Sequence, residues 1–298
     1  MTPALTIFTP TYNRAHTLAR TYRSLCCQTS RNFSWLVVDD GSDDGTEEMV
    51  RQWQKENIIP IDYIYKENGG LYTGYNTAYE RIQTELSVCI DSDDYMPEDG
   101  VEKILSCWQK DDNKHYAGIV GLDYTLDGNP IGGSFPANLE ECYYPELEWK
   151  YHHHGDTKLV LRTELMKQVI PQIGFPGEKN FNPIYMILQV VDRYPLLVLN
   201  ENLCFVEYQD NDSMSRGIYK QYVDSPRSFA KLRCLEMTLQ HTPFRRKLIV
   251  AAHYVASCLL AKAPLLLCRS PRKILTLAAI PMGMFIYGII RWKTRSRA

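Results

Sequence analysis

Four polar segments, each at the end of a short apolar run, carry most of the residues able to do chemistry. They are Thr9-Pro10-Thr11-Tyr12-Asn13-Arg14, Asp39-Asp40-Gly41-Ser42-Asp43-Asp44-Gly45-Thr46, Lys66-Glu67-Asn68-Gly69-Gly70 and Asp91-Ser92-Asp93-Asp94. Any one could be turn chemistry, since Asp, Asn and Gly dominate turns. Four in succession point to something shared. In an extended segment Asp91 and Asp93 face the same side, and Asp94 can reach in from the turn that follows. Carboxylates crowded in this way repel one another unless a cation or protons intervene. Oxygen-only ligands suit Mg²⁺ or Mn²⁺, which also bind substrate phosphates. Asp91, Asp93 and Asp94 are therefore the expected metal ligands, and Mn²⁺ or Mg²⁺ the expected cofactor.

The elements that must position these groups alternate. Leu5–Phe8, Trp35–Val38, Asp62–Tyr65 and Leu86–Ile90 are rich in Ile, Val, Leu and aromatics and read as strands. Leu18, Tyr22, Leu25 and Cys26 share one helical face between the first two. Thr46 can cap a helix that carries Glu47 and Glu48 in its first turn and buries Met49, Val50 and Trp53. Val101, Ile104, Leu105 and Trp108 repeat at helical spacing behind Pro97. Such alternation implies an α/β fold with a mostly parallel sheet covered on both faces. Its ligands bind beyond the carboxyl ends of the strands, where the four polar segments gather. From 117 to 208 the pattern is less regular: Gly118–Leu122, Leu159–Leu161, Leu196–Leu199 and Leu203–Val206 read as strands, Thr163–Val169 and Ile184–Val191 as helices. Residues 228–241 read as an amphipathic helix.

The strings Thr-Pro-Thr-Tyr-Asn-Arg, Val-Val-Asp-Asp-Gly-Ser-x-Asp-Gly-Thr, Asn-Gly-Gly and Asp-Ser-Asp-Asp, in this order over about residues 4–110, resemble family 2 of the inverting glycosyltransferases. The resemblance implies a GT-A (Rossmann-like) fold and transfer of a sugar from a nucleotide diphosphate, a UDP-sugar above all, in assembly of a bacterial surface polysaccharide or glycolipid. It implies that Pro10, Thr11, Tyr12 and Asp40 line the nucleoside pocket, with Tyr12 stacked on the base and Asp40 on the uracil edge. Lys66 and Asn76 would lie near the donor. Asp93 and Asp94 would hold ribose and metal, with Asp91 beside them.

Inversion needs a carboxylate that takes the acceptor's proton while its oxygen attacks opposite the departing phosphate. Gly177-Glu178-Lys179 resembles the family's position for this base, which makes Glu178 the catalytic candidate, although several relatives have Asp there. Asp156 is the second choice, and Asp192 reads as a surface group at a helix end. His152-His153-His154 invites a metal reading, but consecutive residues of a strand point to opposite faces, so an acceptor-site or surface role is expected instead. Arg216, in Asp210–Arg216, could pair with phosphate. No Gly-x-Gly-x-x-Gly fingerprint and no Gly-Lys-Ser/Thr phosphate loop occurs.

Charge divides the chain. Eleven Lys and Arg and no acidic residue lie between Arg245 and Ala298, leaving a net −13 for residues 1–244 beneath an overall −2. Nine cysteines without a Cys-x-x-Cys pair suggest buried thiols in a reducing compartment. Leu5–Phe8 is too short for a signal peptide, so the body is expected in the cytosol. In the tail, Leu248–Cys268 is apolar but interrupted by His253, Lys262 and Pro264. Ile274–Ile290 is uncharged but carries Pro281 and Gly283.

Spanning with both would place Arg269, Arg272 and Lys273 outside, against the positive-inside tendency. Attachment to the inner face of the membrane is the expectation, with the acidic body cytoplasmic and a helical subdomain or dimer interface as the alternative use of the tail. The expected organisation is a GT-A domain over 1–225 (nucleotide-binding part about 1–115, acceptor and base part about 116–225) and a helical, basic and apolar tail over 226–298. The expected partners are a nucleotide-sugar donor, a glycan or lipid-linked acceptor and a membrane surface; nucleic acid is not expected. The alternatives are a sugar-phosphate nucleotidyltransferase, which would want a Gly-rich loop ending in Thr-Arg after strand one, and a non-catalytic nucleotide-sugar scaffold.

Overall fold

The computed structural model describes residues 3–109, 115–207, 217–263 and 266–295. Eight strands form one sheet: β1 (Leu5–Thr11), β2 (Phe33–Asp39), β3 (Ile61–Tyr65), β4 (Leu86–Cys89), β5 (Gly118–Thr125), β6 (Glu141–Cys142), β7 (Thr157–Arg162) and β8 (Leu196–Val206), in the order β3-β2-β1-β4-β7-β5-β8-β6. The first four run parallel, with Leu5 opposite both Phe33 and Leu86. β7 is antiparallel to β4 and β5, and β8 pairs parallel with β5. The sheet is thus mixed and mostly parallel, as alternation implied, and the ends of β1 to β4 share one edge.

Helices cover both faces: α1 (Ala15–Cys26), α2 (Thr46–Glu56), α3 (Leu71–Arg81), α4 (Gly100–Trp108), α5 (Glu146–Trp149), α6 (Thr163–Lys167) and α7 (Ile184–Val191). On one face α1 and α2 bury Leu18, Leu25 and Val50 against Leu5, Ile7, Trp35 and Val37. There Tyr22 stacks on Trp53 at 4.3 Å, and the Trp35 indole donates to Thr9 Oγ1 at 3.0 Å. The other face packs Phe8, Leu36 and Val38 against Ala78, Tyr79 and Met186. Cover on both faces was expected, but α3, which supplies part of it, was not anticipated: Gly69-Gly70 and the polar Tyr-Asn-Thr run obscure its periodicity.

Three further details differ. Gly45, not Thr46, holds the N-cap position of α2, and Asp44 Oδ1 before it accepts the Thr46 amide at 3.3 Å and hydroxyl at 2.5 Å. The two strands expected at 196–199 and 203–206 are one strand with register shifts opposite Gly121–Asp123. The thiols are all free, yet Cys27 and Cys268 are exposed rather than buried.

The C-terminal part is helical: α8 (Ile218–Asp224), α9 (Pro226–Glu236), α10 (Phe244–Leu260), α11 (Leu266–Arg269) and α12 (Lys273–Arg295). α9, α10 and α12 share an apolar cluster of Met237, Val250, Ala251, Tyr254 and Ala279. The first apolar run of the tail is therefore mostly a packed core helix. α12 is the one helix, among the described residues, long and apolar enough to cross a membrane.

Candidate active site

The polar strand ends do meet. A cleft of ≈ 550 Å³ is lined by Pro10, Thr11, Tyr12 and Arg14 from β1 and its loop, Asp40 after β2, Asn68 and Gly70 after β3, and Asp91–Asp94 after β4. Its far wall is Lys179–Pro183, Val206, Glu207, Gln221 and Phe229.

The loops are cross-braced. The Asn13 amide donates to Ser42 Oγ at 2.9 Å, and Asn13 Oδ1 accepts the Asp43 amide at 2.9 Å. Gly41 has φ of 92°, and a Cβ there would stand 3.1 Å from the Asn68 nitrogen, so only glycine lets these two loops touch. Asp40 is buried and gathers the third loop. Its Oδ1 accepts the Gly69 amide at 3.0 Å, and its Oδ2 the Gly70 amide at 2.8 Å. The Lys66 ammonium pairs with Asp40 and also donates to Glu67 O and Thr73 Oγ1.

α1 carries the acidic turn. Arg20 donates to the Asp93 carbonyl and pairs with Glu207 at 2.5 Å. Thr21 Oγ1 donates to the Asp94 carbonyl at 2.7 Å. The three carboxylates then diverge: Asp91 is exposed, Asp93 half-buried and Asp94 buried. Burial, with Asp91 adjacent, raises the Asp93 pKa above the usual carboxylate range.

Asp94 turns toward the interior, where Lys158 Nζ lies 3.7 Å from its Oδ2 and 3.7 Å from Asp123 Oδ2. Burial pushes Asp94 up to about 7 and Asp123 to about 6, in both cases against the pull of Lys158. The opposing carboxylates hold Lys158 firmly protonated although it is buried.

Among the described residues no three His, Cys, Asp or Glu side chains are gathered closely enough to form a ready metal cage. The residues present nonetheless fit Mg²⁺ or Mn²⁺. Such ions commonly take one or two carboxylates and complete their shell with water and substrate phosphate. Asp91 and Asp93 at the cleft supply that pair, and a bound cation would offset the repulsion between the two carboxylates.

A family model, glycosyl transferase family 2, matches residues 6–157, half of the chain. The chain belongs to glycosyl transferase family 2. The Bacillus subtilis protein named for teichuronic acid biosynthesis, TuaG, is 34% identical over 104 residues, 35% of this chain and 41% of TuaG. Glycosyltransferase GlyA of Streptococcus pneumoniae is 33% identical over 100 residues, 34% of this chain and 14% of GlyA. The match thus spans less than half the length of these relatives. S. aureus TarS 1–349, solved in complex with UDP-GlcNAc, superposes with a TM-score of 0.60 at 16% identity, over 92% of this chain and 79% of that one. Mannosyltransferase PcManGT from Pyrobaculum calidifontis, solved with GDP-Man and Mn²⁺, gives 0.55 at 17% identity, over 99% and 84%. These likenesses establish the GT-A fold for this family 2 chain.

Within that fold, the structure brings some of the expected residues to one cleft and places others outside its lining. Pro10, Thr11, Tyr12, Asp40, Asp91, Asp93 and Asp94 share the cleft, and Tyr12 is half exposed at its edge. Lys66 and Asn76 do not line it. Lys66 is occupied beneath Asp40, and Asn76 exchanges two hydrogen bonds of 2.9 Å with the Gln172 backbone.

Glu178 is turned away altogether. Its Oε1 accepts the Arg227 amide at 3.0 Å, and its Oε2 accepts the Ser228 amide at 2.8 Å and hydroxyl at 2.7 Å. A carboxylate so placed satisfies the free N–H groups at the start of α9 and opposes its dipole. It caps that helix; Lys179 takes the place at the cleft. Asp156, the second choice, is exposed outside the cleft lining, and Asp192 accepts the Gln240 and His241 amides rather than standing free on the surface. Arg216 lies outside the described residues.

Lys158, Asp123, Glu207 and Arg20 escaped the sequence reading. The one available signal was a Lys and an Asp inside apolar strands, at Thr157-Lys158-Leu159-Val160 and Gly121-Leu122-Asp123.

Proposed function

We propose that this chain transfers a sugar, with inversion, from a nucleotide diphosphate donor, a UDP-sugar first among them, to a hydroxyl of a glycan or lipid-linked acceptor. The reaction would serve synthesis of a bacterial surface polysaccharide. The observation that carries the reading is the single cleft in which Tyr12, Asp40, the Asn68–Gly70 loop and the Asp91–Asp94 turn converge from four parallel strand ends.

In this reading the half-exposed Tyr12 ring offers a face for the base. The Pro10–Thr11 backbone and the Asp40-braced Gly69–Gly70 loop shape the nucleoside pocket. Gly70 can only be glycine there, because with φ of 93° a Cβ would fall 2.3 Å from the Lys179 carbonyl. Asp93, with Asp91, would hold the cation, which when bound supplies Lewis-acid stabilisation of the departing diphosphate. Arg14, at the same cleft, adds positive charge on the donor side. Lys158 pairs with Asp94 behind the cleft wall and so steadies the turn that presents the other two acids.

The acceptor enters past Lys179–Pro183 and Gln221, and its proton would pass to a carboxylate that reaches the cleft. Glu207 reaches it; Glu178 would first have to release the α9 amides. In domain terms residues 1–225 form the transfer unit, and the 226–298 segment attaches it to a membrane surface on the cytoplasmic side.

The test is release of UDP from a panel of UDP-sugars in the presence of Mn²⁺. Turnover with at least one sugar, abolished in Asp93→Ala, supports the reading. Binding of UDP-sugars without turnover, on any acceptor extract, would favour the scaffold alternative. Release of pyrophosphate from a sugar phosphate and UTP would favour the nucleotidyltransferase.

A further inference from the structure

α12 presents two apolar faces where a helix in a water-soluble body needs one. Its inner face packs on α10 so closely that a Cβ on Gly283 would stand 2.5 Å from Val255 and 2.8 Å from the Ala252 carbonyl. Its outer face is open. Ile274 is 87% exposed, Leu277 58%, Met284 59%, Phe285 70% and Trp292 68%. Their spacing of three, seven, one and seven residues keeps them on one side of the helix. Large exposed apolar patches mark contact with a partner or a membrane.

Charge decides which occupant fits. Arg269, Arg272 and Lys273 stand at one end of the stripe, Arg291, Lys293 and Arg295 at the other, and no acidic residue occurs anywhere from 245 to 298. A second copy would bring the same basic ends against these. An anionic surface complements them, and Trp292 at the basic end is an amphipathic ring of the sort that favours the headgroup level.

We propose that α12 lies flat in an anionic lipid surface, its outer face among the acyl chains and its basic ends on the headgroups. Its length of about 35 Å at 1.5 Å per residue would allow it to span. Spanning would, however, strip it from α10, to which the Gly283 contact ties it, while α10 is itself packed on α9.

Lying flat also has a consequence for the cleft. Lys293 Nζ donates to the Tyr219 hydroxyl at 3.1 Å, which joins the end of α12 to α8. α8 supplies Gln221 to the cleft wall, and its Tyr222 packs on Phe229 of the same wall at 4.6 Å. The acceptor side is thereby held next to the lipid surface, which makes a lipid-linked hydroxyl the fitting acceptor class. This deepens the membrane part of the proposed function. The lipid contact itself needs neither donor nor turnover, so its test stands apart from the transferase reading.

The experiment is co-sedimentation of the full chain with vesicles of phosphatidylglycerol mixed into phosphatidylcholine, beside vesicles of phosphatidylcholine alone. The expected result is partitioning at least about tenfold stronger into the anionic vesicles, weakened by high salt. The double variant Leu277→Glu/Phe285→Glu replaces exposed residues only, and an unchanged melting curve would show that it folds. It should lose that partitioning at least about tenfold. Equal sedimentation of the folded variant and the parent would overturn the proposal. So would indifference to headgroup charge, or a parent dimer in solution that the variant dissolves.

Discussion

Replacing Lys158 by Met removes the cation that pairs with both Asp94 and Asp123 while keeping most of the side-chain volume. At 3.7 Å from each carboxylate oxygen, the ammonium gains roughly 4.5 kcal/mol per pair at an effective dielectric of about 20. Much of that offsets its own desolvation, so the net loss expected for removing one member of a buried pair is about 3–5 kcal/mol. Urea unfolding followed by tryptophan fluorescence reads this as a lowered midpoint.

The loss should depend on pH with a definite sign. Burial already raises Asp94 to about 7 and Asp123 to about 6 with Lys158 in place. Without the ammonium both would rise further above their unfolded values. An acid whose folded pKa is raised contributes stability that is lost as pH climbs through that pKa. The deficit of Lys158→Met relative to the parent should accordingly be larger at pH 8 than at pH 5. Adding Asp123→Leu should recover part of it, because an apolar neighbour then replaces an uncompensated charge. A deficit below about 1 kcal/mol, or one that grows on acidification, would refute the assignment of Lys158 as the resident countercharge of the acidic turn.

Other outcomes follow from the same structure. Tyr12→Ala should weaken UDP binding by about 1–3 kcal/mol, the usual worth of a base stacked on an aromatic ring, with unfolding unchanged because the ring is half exposed. Glu178→Gln should cost about 1–2 kcal/mol of stability by weakening the α9 cap, with kcat falling less than tenfold. A fall of a hundredfold or more in kcat at unchanged stability would restore Glu178 as the base. His253 is held neutral, pushed down to about 4 chiefly by burial and then by Arg233 and Arg246. The unfolded chain therefore takes up a proton between about pH 6.5 and 4 that the folded chain does not, and stability falls over that window as pH drops. His253→Gln should flatten that slope in a series of melting curves.

Much of the fold was legible because local pattern and global architecture agree from residue 4 to 110. Trp35–Val38 is a continuous apolar run, Leu5–Phe8 and Leu86–Ile90 are interrupted only by Thr6 and Ser87, as suits strands covered on both faces, and polar residues gather after each. α7 is equally plain: Ile184–Val191 is apolar but for Gln189 and lies between Pro183 and Asp192. α3 was illegible because two of its three buried residues, Gly74 and Ala78, are small, which leaves Tyr79 alone as a large inward signal.

The site divides in the same way. Acids at strand tips advertise themselves, since turn geometry sends their side chains toward one edge. Glu178 and Lys179 do not. Adjacent residues of a loop point in different directions, and only the position of α9 decides that Glu178 caps a helix while Lys179 meets the cleft. Lys158 was hidden for another reason: a charge inside a strand reads as a surface residue until its partners, thirty-five and sixty-four positions earlier in the chain, come into view.

The most direct measurement of the central claim is calorimetric titration of the full chain with UDP, with Mn²⁺ and after its removal by chelation. The account predicts binding that strengthens at least about tenfold with the metal, and an Asp93→Asn variant in which that gain disappears while the weak metal-free binding remains. Metal-independent binding of equal strength in parent and variant would contradict it, since the acids of the Asp91–Asp94 turn would then have no part in holding a diphosphate.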